Sequence, residues 1–475
     1  MAAATPSDPA TAQPRAPASG PALSAATPVR QSAPLVQIFA LFAAGYFLSY
    51  CFRTVGPLIA PDLMRELRLD AGELGLLASV YFLTFAIAQP FIGILMDRHG
   101  PAKVNAVLLT IAACGGVVFA MSANLAVLTL GRAMIGLGVS GALMTSLKAF
   151  VVWYPPQHRE ALSSSMMAVG GVAAMLVSIP AELAMRVIGW RGLFWGMALA
   201  SVVVAGALWV RLSRMQVPQS GSHSGSAENG PAGLAAGSRA AGTHGMPANV
   251  LAAVPAAASA PTPAAVPSGG FAMIFRSRIF IAYAPLAFFS SGGFSALQSL
   301  WAGPWLIEVA GRTRAESAEV LFAYGLALFF GYLGAGLISG RLQALPGAPR
   351  AFYMGGLALA YVALAIIISN AWPASGAPWF AYGLTLGTGM LAYPALTRVF
   401  PVAIAGRVMT AYNVVMFAGA FVLQWGIGAL IQAQINHGVA AVLAYQVSFA
   451  VLLAAQVVSL VWFWGLTREL TREPG

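Results

Sequence analysis

The sequence predicts an all-α polytopic membrane protein with twelve transmembrane helices in two pseudo-symmetric six-helix bundles. Three observations indicate this fold class: an apolar composition, a regular series of long apolar runs, and an internal repeat. Of the 475 residues, 59% are hydrophobic and only 8% are charged, and the mean hydropathy is +0.78. A soluble domain of this size would need far more charge to cover its surface.

The long apolar runs are close to the length at which a helix crosses a bilayer with its backbone hydrogen bonds satisfied internally. There are twelve of them, at 35–59, 74–96, 104–122, 125–152, 161–181, 192–210, 279–303, 318–339, 351–369, 377–397, 408–432 and 440–465. A segment rich in Ala, Pro, Gly and Ser separates the sixth run from the seventh, and this composition is typical of a flexible linker. We therefore predict a disordered cytoplasmic tail at 1–34, bundles at 35–214 and 271–466, a cytoplasmic linker at 215–270 and a cytoplasmic tail at 467–475.

The distribution of basic residues predicts the orientation of the chain. With both termini in the cytoplasm, the cytoplasmic segments hold 16 Lys and Arg residues and the external segments hold 6. This excess follows the positive-inside rule and favours a multi-pass protein of a bacterial inner membrane. The formal net charge of +11 is spread singly between apolar runs, so we expect the lipid bilayer, and no nucleic acid, as its surroundings.

The two halves of the chain share sequence features at a fixed offset. The segment 61–63 (PDL) corresponds to 304–306 (PWL) at an offset of 243, and Gly93 corresponds to Gly336 at the same offset. Internal repeats of this kind are typical of transporters whose substrate site lies where the repeats meet.

The polar segment after the second run reads Gly93-x-x-x-Asp97-Arg98-x-Gly100-x-x-Lys103. It resembles the loop signature of the major facilitator superfamily of secondary transporters. The resemblance implies alternating access by two rocking bundles. It also implies that Gly93 allows a neighbouring helix to pack closely, and that the charged residues of the loop contribute to a cytoplasmic gate.

Two further arginines are candidates for gating. Arg132 lies in Gly131-Arg132-x-x-x-Gly136-x-Gly138, which is similar to a second signature of the superfamily and implies a role in coupling or gating. The alternative is a structural Arg132 bonded to neighbouring carbonyl groups. Arg407 repeats the Pro-then-Arg pattern of Arg159 in the second half, and we place it in the cytoplasmic gate.

Arg53 is the basic residue that points most directly to a substrate site. Tyr46 and Tyr50 precede it by seven and three residues, so the three side chains share one helical face. A guanidinium offers a fixed fork of donors suited to carboxylate or phosphate oxygens, and a charge inside a membrane is costly unless it serves a function. The alternative is that Arg53 reaches the outer headgroups.

The pattern Tyr46-x-x-x-Tyr50-x-x-Arg53 resembles the organophosphate:phosphate antiporter, or sugar-phosphate permease, branch of the superfamily. The resemblance implies that Arg53 binds a substrate anion, together with a second arginine from the seventh helix. At the offset of 243, however, the position equivalent to Arg53 is Ala296. The missing second arginine favours a carboxylate-type anion over a phosphate ester.

Four more residues are candidates for contact with substrate. Phe294 and Gln298 lie at helical spacing in the seventh run, and Asn413 lies in the eleventh. Lys148 lines the inner half of the cavity or reaches the inner membrane surface. Packing and interhelical hydrogen bonds are the alternatives for the aromatic and amide residues. We assign Trp305 to the interfacial aromatic belt.

These residues predict a transporter of a small organic anion that acts as a monomer, without enzymatic activity, cofactor or metal. Protons usually travel on intramembrane Asp, Glu or His residues, and the predicted helix interiors contain no confident acidic residue and no His. This pattern argues against a drug:proton antiporter. The competing functions are a multidrug or metabolite efflux carrier and a non-transporting membrane sensor.

Overall fold

The computed structural model describes residues 32–212, 270–342, 345, 347–401 and 404–470. Most of the predicted N-terminal tail and nearly all of the predicted linker lie outside these residues. The described residues form helices joined by short turns, and they contain no strand.

The N-terminal half contains eight helices as the structure delimits them. They are α1 Ser32–Thr54, α2 Gly56–Leu67, α3 Ala71–His99, α4 Pro101–Met121, α5 Leu125–Val139, α6 Ala142–Trp153, α7 Pro156–Leu176 and α8 Ile179–Leu212. Gly189 has a φ of +67°, a conformation that glycine adopts without strain, and it divides α8 into two parts. The second part corresponds to the sixth predicted crossing.

The C-terminal half contains ten helices. They are α9 Gly270–Arg276, α10 Arg278–Pro285, α11 Gly292–Ala296, α12 Ala302–Glu308, α13 Arg314–Leu342, α14 Ala348–Ser369, α15 Ala377–Leu386, α16 Ala392–Thr397, α17 Ala405–Asn436 and α18 Ala441–Leu470. Two π-helical segments, Leu286–Ser291 and Leu297–Trp301, join α10, α11 and α12 into one rod, and a 3₁₀ segment, Gly387–Leu391, joins α15 to α16.

Ten stretches of the described chain are long and apolar enough to cross a membrane. Two more apolar runs lie in α7 and in the interrupted rod from α15 to α16. The prediction of an all-α polytopic fold is confirmed. The helix α9 begins at Gly270, the last residue of the predicted linker, and α18 continues to Leu470 within the predicted C-terminal tail.

The first predicted crossing also ends earlier than expected. The run at 35–59 is divided, because α1 ends at Thr54 and α2 begins at Gly56. The cause is Pro57, whose ring would clash with the carbonyl of Arg53 in a continuous helix. The run at 125–152 is likewise broken, between α5 and α6 at Ser140 and Gly141.

The two halves are closed against each other at the end of the molecule where α2 lies, which we call the sealed end. Glycines allow backbone contact there: a Cβ on Gly303 would lie 2.3 Å from the Pro57 carbonyl oxygen, and one on Gly428 would lie 2.3 Å from the Ala71 oxygen. The Ala71 amide also donates to the Gln432 side chain at 3.2 Å. Close helix packing of this kind relies on residues without a side chain.

A bidentate ion pair also joins the two halves at the sealed end. The Arg314 guanidinium donates to both carboxylate oxygens of Asp62, at 3.0 and 2.7 Å, and to the Leu58 carbonyl oxygen at 3.0 Å. Paired donors matched to a planar carboxylate give both strength and a fixed orientation. Arg314 therefore ties the start of α13 to α2.

A second polar cluster fixes α2 to its own half. Glu66 accepts hydrogen bonds from the Trp190 indole, at 2.9 Å, and from Arg191. Desolvation alone would raise the pKa of the Glu66 carboxyl, but these hydrogen bonds and the Arg191 charge outweigh it and lower the pKa below 4.5. Glu66 is therefore charged at neutral pH, and α2 is held against the turn at Gly189.

We expect Gly303→Ala to destabilise the sealed end, because the new methyl group would overlap the Pro57 backbone. The matched control is Gly334→Ala in α13, where a Cβ would meet no atom within 4 Å. Thermal unfolding in detergent should show a lower melting temperature for Gly303→Ala, and an unchanged or slightly higher one for the control. Equal melting temperatures for the two variants would contradict this packing.

Candidate functional site

The candidate site lies between the two halves and is centred on Arg53. The last turn of α1 carries Arg53, immediately before the helix ends at Thr54. Pro57 ends α1 just after Arg53. The guanidinium lies at this end of the helix, where α1 faces the C-terminal half of the molecule. Its Nη2 donates to the Ser295 hydroxyl of α11 at 2.8 Å.

Aromatic rings surround the Arg53 guanidinium. Its Cζ lies 5.7 Å from the ring centre of Tyr50, 5.6 Å from that of Phe82 and 5.5 Å from that of Phe417. These distances are within the range of cation–π attraction. The rings come from α1, α3 and α17, so both halves of the molecule contribute to the site.

Arg53 keeps unused donors in this arrangement. Its Nε is buried and has no hydrogen-bond partner within the described residues. The salt bridges among the described residues do not include it. A cationic group with an unsatisfied buried donor, inside a chain of membrane-crossing helices, is an unfavourable arrangement unless an anion completes it.

Tyr46 and Tyr50 lie on the same face of α1 as Arg53, as predicted from their spacing. Their ring centres are 6.0 Å apart and both side chains are buried. The Tyr50 hydroxyl is directed at the Gln298 side-chain oxygen across the two halves, at 3.5 Å. Gly170 of α7 makes room for both rings, because a Cβ there would lie 3.0 Å from Tyr50 and 3.1 Å from the Tyr46 hydroxyl.

The seventh predicted crossing is irregular at the level of the site. Ser295 lies in the short α11 between the two π-helical segments, and Gln298 lies within the second of them. π-Helical turns occur mainly as isolated bulges, often at functional sites, and each adds a residue to the turn. Ser295 and Gln298, whose side chains contact α1, therefore lie in the most distorted part of this rod.

Phe294, Asn413 and Tyr393 form the C-terminal wall of the region. The Tyr393 hydroxyl donates to the Asn413 side-chain oxygen at 2.6 Å. Phe294 is half-buried and packs edge-on against Tyr324, with ring centres 6.5 Å apart. Asn413 precedes Phe417 on α17 by about one helical turn, and the Phe417 ring lies 5.5 Å from the Arg53 Cζ, so this wall adjoins the Arg53 site.

The structure places Lys148 away from Arg53. Lys148 forms a salt bridge with Asp97 at 3.0 Å, and both side chains are substantially exposed. Asp97 lies 15 residues beyond Phe82 on α3, which corresponds to about 22 Å along the helix. Of the two positions predicted for Lys148, the inner half of the cavity and the inner membrane surface, this exposed salt bridge is closer to the second.

Among the residues that the structure describes, no salt bridge joins a predicted gate residue to the other half in this conformation. Asp97 pairs within its own half, while Arg98, Lys103 and Arg407 are exposed. Gly100 has a φ of +80° and forms the turn between α3 and α4. A Cβ on Gly93 would meet no atom within 4 Å, so the expected close packing at Gly93 is absent here.

The structure gives Arg132 a set of internal contacts. It is 3% exposed, and its Nη1 donates to the Phe52 carbonyl oxygen at 3.0 Å. Its Cζ lies 5.7 Å from the rings of both Tyr81 and Phe119. This geometry matches the alternative that the sequence left open, an arginine bonded to a neighbouring carbonyl group.

Two residues of the site did not emerge from the sequence. Ser295 carried no charge or motif to mark it, although it is adjacent to Ala296, the position equivalent to Arg53 in the repeat. Phe82 looked like an ordinary apolar residue of a membrane helix, whereas the sequence does place Phe417 on one helical face with Asn413. The assignment of Trp305 to an interfacial belt is wrong, because Trp305 is 1% exposed and stacks on Phe449.

Comparison with known proteins decides the family. The sequence profile described as Major Facilitator Superfamily matches residues 42–424, well over half of the chain. The chain belongs to the Major Facilitator Superfamily. Within the described residues, no group of three or more His, Cys, Asp or Glu side chains is placed to hold a metal ion.

Curated relatives within the superfamily match only part of the chain. A probable sulfoacetate transporter of Cupriavidus necator is 30% identical over 155 residues, covering 31% of this chain and 35% of that protein. A probable hexose phosphate transport protein of Chlamydia trachomatis is 22% identical over 185 residues, covering 39% and 40%. The chain therefore spans about a third to two fifths of the length of these relatives.

Solved structures of the superfamily share the fold over nearly the whole chain. A bacterial homologue of the human lysosomal transporter Spinster, in an inward-facing conformation, has a TM-score of 0.65 at 17% identity and covers 91% of this chain and 97% of its own. A D-xylose–proton symporter has a TM-score of 0.67 at 13% identity, with coverages of 90% and 97%.

We expect Arg132→Leu to destabilise the protein, because it leaves the buried Phe52 carbonyl without its donor. An unsatisfied buried acceptor costs about 1–3 kcal/mol. The control is Arg65→Gln, at an exposed position near the end of α2. Thermal unfolding should show a clear loss for Arg132→Leu alone. Wild-type stability combined with loss of transport would instead support a gating role for Arg132.

Proposed function

We propose that this superfamily member carries a small organic anion across a bacterial inner membrane, by alternating access and as a monomer. Arg53 is the group that binds the anion. The observation that carries the proposal is the Arg53 guanidinium between the two halves, with a buried Nε that has no partner and no carboxylate paired with it among the described residues.

The surroundings of Arg53 support an anion with a single negative charge at the binding end. The guanidinium can offer a pair of donors to a carboxylate, and Ser295 and Gln298 occupy the region where a second cation would be needed for a phosphate dianion. Tyr46, Tyr50 and Phe294 supply an apolar wall with hydroxyl groups at its edge. Where these side chains exclude water, the attraction between the guanidinium and the anion is stronger than it is in bulk solvent.

The named relatives are compatible with this substrate class. The relative from Cupriavidus necator is described as a probable sulfoacetate transporter, and the relative from Chlamydia trachomatis as a probable hexose phosphate transport protein. Both named compounds are small organic anions. The matched segments cover less than half of each relative, so these names support the chemical class of the cargo and nothing narrower.

The closure of one end supports the transport mechanism. If both termini are cytoplasmic, as the basic residues favour, the sealed end faces the outside and the Arg53 site is reached from the cytoplasm. The Arg314–Asp62 pair would then separate when the outer end opens. At the inner end, we assign the gate to Gly93, Asp97, Arg98, Gly100, Lys103 and Arg407, with Lys148 holding Asp97 while that end is open.

We expect Arg53→Gln to weaken binding of short carboxylates about tenfold to a hundredfold, the effect of losing hydrogen bonds between charged groups. Arg53→Lys should give an intermediate loss, because it keeps the charge but not the fork of donors. The measurement is ligand-induced thermal stabilisation of the purified protein, followed by uptake of a labelled carboxylate into proteoliposomes.

The matched control is Arg211→Gln, an exposed arginine at the end of α8, which should behave as wild type. If both Arg53 variants bind and transport the carboxylates as the wild type does, the anion site is wrong. A multidrug exporter would show that result, with binding of cations or neutral apolar compounds instead. Binding without any uptake would favour a membrane sensor.

A further inference from the structure

We infer that the preferred substrates carry an uncharged hydrogen-bond acceptor at the end opposite the anionic group, and that Asn413, oriented by Tyr393, selects for it. This inference rests on the proposed anion site and makes it more specific. It assigns the class of substrate as short-chain acids with a hydroxyl, carbonyl or amide group at the far end.

The first step concerns the Asn413 amide. The Tyr393 hydroxyl donates to its side-chain oxygen at 2.6 Å, so that oxygen is occupied. Asn413 is half-buried, and no hydrogen bond from its Nδ2 is found within the described residues. An amide with one atom fixed by a tyrosine offers its N–H₂ as a donor of fixed direction, which suits an oxygen acceptor on a ligand.

The second step concerns the position of this donor. Asn413 precedes Phe417 by four residues on α17, so the two side chains share a face and lie about 6 Å apart along the axis. The Phe417 ring lies 5.5 Å from the Arg53 Cζ. The amide is therefore displaced from the guanidinium by about one helical turn, in the direction away from the sealed end.

The third step concerns what lies between the two polar groups. The Phe85 and Phe417 ring centres are 4.2 Å apart, and the Met416 sulfur lies 3.8 Å from the Tyr393 hydroxyl. These apolar side chains lie between the guanidinium and the amide. A short hydrocarbon chain fits such a surface, whereas a highly hydroxylated sugar would leave polar groups without partners there.

The fourth step concerns charge. Within the described residues, no lysine or arginine side chain is hydrogen-bonded to the Tyr393 hydroxyl or to the Asn413 amide. A second carboxylate at this end would have no cation of its own, because Arg53 binds the first carboxylate, and it would lose its hydration. An uncharged acceptor needs only the amide donor, so the site favours a monoanion over a dianion.

The test compares three acids that differ only at the far end: 4-hydroxybutyrate, butyrate and glutarate. We expect the purified wild-type protein to bind 4-hydroxybutyrate about three- to tenfold more tightly than butyrate, the effect of one additional neutral hydrogen bond. Glutarate should bind more weakly than 4-hydroxybutyrate. Isothermal titration in detergent gives the dissociation constants.

The variants Asn413→Leu and Tyr393→Phe should bring the ratio of the butyrate and 4-hydroxybutyrate dissociation constants close to one. The matched control is Asn436→Leu, the same change at an exposed position at the other end of α17, which should keep the wild-type ratio. The readout is a ratio within each variant. A general loss of binding would weaken both acids alike and leave this ratio unchanged, so it does not produce the expected result.

Three results would overturn the inference. They are equal binding of butyrate and 4-hydroxybutyrate by the wild type, an unchanged preference for 4-hydroxybutyrate in both site variants, or tighter binding of glutarate than of 4-hydroxybutyrate. Failure of the proposed function is a different result. In that case Arg53→Gln would leave the affinity for all three acids unchanged, or the wild type would bind none of them.

Discussion

The structure depends on the charge of Arg53, which has no carboxylate partner among the described residues and lies where the two halves of a membrane protein meet. A guanidinium in a bilayer is costly, and proteins tolerate it when it faces an interior site or an anion. Arg53 is held there by the three aromatic rings and by a single neutral hydrogen bond to Ser295. None of these partners carries a negative charge, so the site retains its attraction for an anion.

The contacts at the sealed end join the two halves close to that charge. Backbone contacts at Gly303 and Gly428, together with the Arg314–Asp62 pair, join the halves at one end of the molecule. At the other end Asp97 is bonded to Lys148 of its own half. Arg53, in the last turn of α1, thus lies next to the level at which the sealed end joins the halves.

Periodicity and charge were enough to predict the fold and the first half of the site. Steps of three and four residues placed Tyr46, Tyr50 and Arg53 on one face, and the structure has them there. The repeat of 243 residues pointed to Ala296, one residue from the Ser295 that Arg53 contacts. The two π-helical segments on either side of Ser295 could not be predicted, since the sequence does not show where a helix gains a residue in a turn.

Other features depended on contacts that no local pattern contains. A buried arginine in a glycine-rich helix is compatible with gating or with packing, and only its neighbours show that Arg132 bonds the Phe52 carbonyl. Lys148 was compatible with a cavity or a surface until Asp97 was found beside it. The break after Thr54 could have been predicted, because Pro57 cannot continue α1. The apolar run continues through this position, however, and suggested a single helix.

The central claim is that the cargo's negative charge lies against Arg53, between the two halves. The most direct measurement is an experimental structure of the protein in lipid nanodiscs with a bromine-labelled carboxylate, in which the label is located by its density. We predict the carboxylate within hydrogen-bond distance of Arg53 and close to Ser295, with its chain along Phe417. A guanidinium directed at lipid headgroups, or a ligand bound elsewhere in the cavity, would contradict the account.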